Sequence, residues 1–217
     1  MNNDELIQRL TGKAYELCDL VSEQSKFVEP GSIIWLLTQR DRMISSQSVN
    51  IKVGTHFQKW FHYLVGLSDH ELGDCGLTED ILGQNTDVDL IFSKNNDIYY
   101  MEMKANVGLD TGKLPATVNH VERVDYYLRR ENPDKEVHSG ILHWSVYNAT
   151  KFARNRYPHY SSWSVAGVEP YDGTNVGLKM YHPQDLFNIL NLSVSERQWY
   201  EMWLLVGQRL GLVENNT

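Results

Sequence analysis

Apolar residues recur at helical spacing from the beginning of the chain. Leu6, Leu10, Leu17 and Val21 predict a helix over residues 4–22. Glu29-Pro30-Gly31 interrupts it, and Ser32 is placed to cap a second helix through Ile34, Leu37 and Met43. After Gly54, the stripe Phe57, Trp60, Phe61 and Leu64 predicts a third, from Thr55 to Leu67. The period then shortens to two. Asp87 to Ser93 and Ile98 to Lys104 alternate as strands, and Lys94-Asn95-Asn96-Asp97 between them suits a tight hairpin, because Asn tolerates positive φ. Pro115 fits the first turn of a helix through Val118, Val121, Val124 and Leu128, which Asn132-Pro133 ends. A further strand is predicted from Ser139 to Tyr147. Ser193-Val194-Ser195-Glu196 has the form of a capping box opening a helix through Trp199, Trp203, Leu204 and Val206. This order predicts an α/β (α+β) fold, with a central mixed sheet and a hairpin flanked by helices.

Composition narrows the class. The 217 residues are 41% hydrophobic and 22% charged, with six Trp and twelve Tyr, which describes a globular chain and not a disordered one. No repeat or linker divides it, so one domain over residues 1–217 is expected, with a core at about 54–147. The helices of residues 1–53 and the extension of 148–217 would serve partner contacts or dimerisation. No apolar run reaches the roughly 18–20 residues of a membrane span, and Met1-Asn2-Asn3-Asp4-Glu5 lacks the character of a signal peptide. Cys18 and Cys75 are too few and too far apart for a disulfide framework or a zinc pattern. A cytoplasmic protein is expected. Neither a Gly-rich phosphate loop nor a Ser/His/Asp arrangement is present, which argues against a nucleotide cofactor and against a serine hydrolase.

The hairpin carries the chemistry. With Lys94 opposite Asp97, Asp89 falls opposite Glu102 and Asp87 opposite Lys104. Alternation puts Asp87, Asp89, Ile91, Tyr100, Glu102 and Lys104 on one face, and Val88, Leu90, Phe92, Tyr99, Met101 and Met103 on the other. The second face is apolar and predicts the core. On the first, opposed acids with Cβ atoms about 4.5–5.5 Å apart repel one another. Lys104 offsets this only in part. Mg²⁺ held by Asp89 and Glu102 would offset it fully, since hard oxygen ligands suit that ion.

An Asp on one strand, Glu102-Met103-Lys104 closing its partner, then a helix and another strand, resembles the PD-(D/E)XK nuclease superfamily. The resemblance covers roughly residues 54–147 and is closest to the type II restriction endonucleases. It implies Asp89 and Glu102 as metal ligands, the Met103 backbone carbonyl as a third, Lys104 as the catalytic lysine and Asp87 as a secondary acid. It further implies Mg²⁺ (or Mn²⁺ in its place), double-stranded DNA as substrate, 5′-phosphate ends and a homodimer. The motif's proline is absent, since Asp87 follows Thr86, and Gln58 stands where some members carry a helical Glu.

The net charge of −8 argues against a protein that merely coats nucleic acid. Yet Val137 to Val168 holds no acid, and within it Lys151, Arg154, Asn155 and Arg156 could meet a DNA groove. Asn106 and Lys113, beyond the acidic strand, could approach the backbone. His56 and His62 lie off a shared helix face and read as structural. Two other readings stay open: a structure-selective or single-strand nuclease, and a DNA-binding module without catalysis.

Overall fold

The computed structural model describes residues 3–24, 46–79, 85–104, 113–144 and 179–209. These fall into two compact units: residues 1–61 with 200–217, and residues 62–199. The second helix expected after Ser32 lies outside the described residues.

In the first unit, α1 (Asn3–Gln24) follows the predicted stripe. It buries Leu6, Leu10, Ala14, Leu17, Cys18 and Val21. Helix α2 runs from Ser46 to Gly66, nine residues earlier than its apolar stripe suggested. Gly54 sits inside it, because one mid-helix glycine costs only about 1 kcal/mol against alanine, too little to end a long helix. On the unit's C-terminal segment, Trp203 packs on Trp60 with ring centroids 6.4 Å apart. Arg209 pairs with Asp19 at 2.7 Å.

The second unit is built on a five-stranded sheet. Its strands in chain order are β1 (Glu71–Leu72), β4 (Leu90–Lys94), β5 (Asp97–Lys104), β6 (Glu136–His143) and β7 (Lys179–Tyr181), and they lie side by side in that same order. A separate antiparallel pair joins β2 (Gly76–Glu79) to β3 (Asn85–Val88). The β4–β5 hairpin has the expected register, Lys94 opposite Asp97 and Leu90 opposite Met101. Its two-residue turn puts Asn95 at φ 53°, the conformation for which Asn is suited. Strands β5 and β6 are parallel over their whole length, from Asp97–Glu136 to Lys104–His143. That pairing starts β6 at Glu136, earlier than the predicted Ser139. It also demands a crossover, which α3 (Lys113–Glu131) supplies. Asn132 ends α3 by donating its amide to the Leu128 carbonyl at 3.0 Å.

Two expectations about the hairpin are corrected. The face carrying Tyr100 and Glu102 is covered: Tyr100 is fully buried and Glu102 is 9% exposed. Ile98, Tyr100, Val118, Val121, Val124, Leu128, Val137 and Ile141 form one cluster beneath α3. Parallel pairing is the cause, since its crossover helix packs back on the sheet and closes the second face. The other correction concerns the strand itself. It breaks at Asp89, and β3 leaves to pair with β2, so that Asp87 lies opposite Leu77 and not Lys104. Val88 consequently joins the Tyr100 cluster instead of the Met101 face.

Beyond β7 come α4 (Pro183–Ile189) and α5 (Glu196–Arg209). The box that opens α5 is Ser195–Gln198, two residues later than predicted. The Ser195 hydroxyl accepts from the Gln198 N–H at 3.2 Å, and the Gln198 side chain accepts from the Ser195 N–H at 3.0 Å. No described helix is long and apolar enough to cross a membrane.

Candidate active site

Two strand ends and one helix bring the central residues together. Glu102 lies on β5 with its carboxylate almost wholly enclosed. Its Oε1 accepts from Lys104 Nζ at 2.6 Å, the two side chains reaching the same side from positions two apart on one strand. Its Oε2 accepts from the Tyr100 hydroxyl at 3.3 Å and lies 3.4 Å from His120 Nε2, which comes down from α3. Burial pushes the Glu102 carboxyl up, but the hydrogen bond from His120 and the charge and hydrogen bond of Lys104 outweigh it, leaving it below its ordinary value. The hydrogen bond to Glu102 in turn raises His120 against the opposing effect of its own burial. Burial and the charge of Glu102 hold the Tyr100 phenol far above its usual range, so it stays a donor.

Asp89 arrives from the break between β3 and β4. The β4–β5 ladder ends at Leu90–Met101. The next N–H on that side of β5, at Met103, therefore needs another acceptor, and Asp89 Oδ2 takes it at 2.8 Å. A charged acceptor makes this one of the stronger hydrogen bonds. The backbone around the break is held by two histidines. His62 Nε2 lies 3.0 Å from the Asp89 carbonyl, and His120 Nε2 lies 3.1 Å from the Asp87 carbonyl. Carbonyl oxygens only accept, so both rings carry their proton on Nε2.

Asp89, Glu102, Met103 and Lys104 thus meet at the C-terminal end of β5. Asp87 is exposed on β3, and Lys113 is the first residue of α3. Asn106, Lys151, Arg154, Asn155 and Arg156 lie outside the described residues. The hairpin pattern placed Tyr100 on the face of Glu102 without giving it a role, and it did not disclose His120. A histidine next to Val121, on the helix that follows the acidic strand, was the available signal for that residue. His62, read from the sequence as structural, has the Asp89 carbonyl as its partner.

A second group with metal-ligand chemistry sits at the opposite end of β5. Asp97, Glu136 and His138 bring their ligand atoms within 4.8 Å of one another. His138 Nε2 is 2.8 Å from Asp97 and 3.8 Å from Glu136. Asp97 and Glu102 are separated by about 17 Å at ~3.3 Å per residue along the strand. The two groups are therefore distinct.

A central mixed sheet flanked by helices, with a buried acid-x-lysine strand beside a second acid, is consistent with a restriction-endonuclease-like fold. Residues 73–176 match the model of a family described as Type II restriction endonuclease, HinfI. Over that segment the chain is similar to type II restriction endonucleases, which are hydrolases acting on DNA. The segment contains Asp89, Glu102, Lys104 and His120. No curated protein and no solved structure matches the chain.

Proposed function

We propose that the protein is a Mg²⁺-dependent type II restriction endonuclease that hydrolyses double-stranded DNA and leaves 5′-phosphate and 3′-hydroxyl ends. One observation carries this reading: the carboxylate of Glu102, a residue only 9% exposed, is held 2.6 Å from Lys104, on the strand whose Met103 N–H meets Asp89. An ordinary solvated hairpin has no reason to bury an acid, which is costly without a partner.

The donor set fits a hard divalent cation. Asp89 and Glu102 offer carboxylate oxygens. The Met103 carbonyl leaves the strand on the same side as its N–H, toward Asp89, and can add a third oxygen. Bound by these oxygens, Mg²⁺ would supply Lewis acidity toward a phosphoryl oxygen and toward a water. Lys104 then orients the attacking water or stabilises charge building on the phosphate. The water oxygen bonds to phosphorus, the P–O3′ bond breaks, and the 3′ oxygen leaves with a proton. Mn²⁺ should substitute for Mg²⁺, and a homodimer would match twofold cleavage of a duplex. Lys151, Arg154, Asn155 and Arg156, with Asn106 and Lys113, are the proposed DNA contacts.

The test is incubation with mixed plasmid and phage DNA, in Mg²⁺ and in chelator. Discrete bands that require Mg²⁺ and vanish in Glu102→Gln support the reading, while a smear favours a structure-selective or single-strand nuclease. DNA bound but never cut, under any metal, overturns it. Asp97→Asn and His138→Gln should cut with the unaltered Mg²⁺ dependence; a shifted dependence would move the metal to the other end of β5.

A further inference from the structure

The geometry points to His120 as a positioning residue that sets the separation of Asp89 and Glu102, an inference that rests on the metal-site reading above. Its Nε2–H faces two acceptors from different segments: Glu102 Oε2 at 3.4 Å, a side chain of β5, and the Asp87 carbonyl at 3.1 Å, the backbone two residues before Asp89. One N–H therefore spans the two pieces of chain that deliver the acids. The need for such a tie is visible in the topology. The β4–β5 ladder stops at Leu90–Met101, and β3 departs to pair with β2. Beyond Leu90 the ladder no longer fixes the backbone separation of the two segments, and the Met103 N–H bond to Asp89 Oδ2 at 2.8 Å holds that side chain and not the backbone of residue 87.

The helix that carries His120 makes the tie rigid. Val118, Val121 and Val124 are buried against Tyr100 and Ile141, so the ring is carried by a packed stretch of helix. Tyr100 donates to the same Oε2 at 3.3 Å and Lys104 to Oε1 at 2.6 Å, which leaves the Glu102 carboxyl little freedom to rotate. Tyr100 and Lys104 share β5 with Glu102 and so carry no information about Asp89. His120 reaches both segments, through Glu102 Oε2 and the Asp87 carbonyl. Partners of this kind, which touch a ligand and not the ion, typically change metal affinity by about 10–100-fold when removed.

The experiment titrates Mn²⁺ into the full-length protein and reads the free-ion EPR signal, for the unaltered chain, His120→Phe, His120→Gln and Glu102→Gln. Phe keeps the ring volume without the N–H, and Gln restores a donor. We expect about a 10–100-fold loss of affinity in His120→Phe, recovery of most of it in His120→Gln, and loss in Glu102→Gln. Phe binding as tightly as the unaltered chain while Glu102→Gln does not would overturn the role of His120 alone. Unchanged binding in both variants would overturn the metal-site reading with it. A measurement on unaltered protein does not depend on a variant folding: the ¹⁵N resonance of His120 Nε2 should shift when Mg²⁺ is added. A resonance that ignores Mg²⁺ would also overturn the proposal.

Discussion

Replacing Lys104 by Met removes the ammonium and keeps most of the stem, so it isolates what the charge contributes to the Glu102 site. Breaking a buried ion pair by deleting one partner costs about 3–5 kcal/mol, against about 0–1 for an exposed pair. Here the side chain of Glu102 is 11% exposed and that of Lys104 is 28% exposed, which places the pair between those limits. Tyr100 and His120 would still hold Oε2, so a loss of about 2 kcal/mol at pH 8 is expected. Its pH dependence follows from the depressed Glu102 carboxyl. Burial opposes the ionised form, but His120 and Lys104 overcome it, so ionised Glu102 stabilises the fold above its ordinary value of 4.5. That contribution disappears as pH falls through the lowered value. Without Lys104 the buried carboxylate becomes a liability that protonation relieves, so the deficit should narrow toward pH 4.5. Urea unfolding followed by tryptophan fluorescence, at pH 8 and in steps downward, measures it. The double variant Glu102→Gln/Lys104→Met should regain part of the loss, because no charge is left enclosed. A single variant as stable as the unaltered protein at pH 8, or a double variant no more stable than the single one, would refute the argument.

Other outcomes are open to direct measurement. Asp89→Asn retains an acceptor for the Met103 N–H and should melt near the unaltered protein, whereas Asp89→Ala should lose about 1–3 kcal/mol; equal melts would remove that hydrogen bond from the stability of the break. Gly140→Ala would drive its new methyl into the Lys179 backbone and to 2.6 Å from Tyr181, so about 1–3 kcal/mol should be lost in thermal melting. An unchanged melt would mean that β7 does not lie against β6. His70 and His182 are both lowered, chiefly by burial, so each folds neutral and resists the proton that the unfolded chain accepts near 6.5. In His120→Phe, which removes the raised His120 and its contribution of opposite sign, stability should therefore fall as pH drops below about 6.5. Urea midpoints that stay flat from pH 8 to pH 5.5 would contradict the burial of both rings.

What was legible in the sequence is local. Alternation on either side of Asn95-Asn96 contained the register of the hairpin, because a two-residue turn and a period of two leave one pairing that keeps Leu90, Phe92 and Met101 together. The stripe Val118, Val121, Val124 and Leu128 contained α3, and acid-x-lysine on one strand face put Lys104 beside Glu102. Other features depend on residues far apart in the chain. The break at Asp89 exists because β3 finds a partner in β2, and no period within residues 85–94 signals that competition. Glu102 is enclosed because β5 pairs in parallel with β6, and a parallel pair needs a crossover helix that covers the face which alternation alone would leave in water. His120 meets Glu102 and Asp87 only once that helix is seated. By itself, the sequence determined the residue types, the register and the nuclease-like pattern, since these follow from short-range sterics and side-chain alternation. The tertiary structure decided the burial, the electrostatic partners and the ring that meets Glu102 and the Asp87 backbone, since these arise from contacts that loop closure and packing bring together.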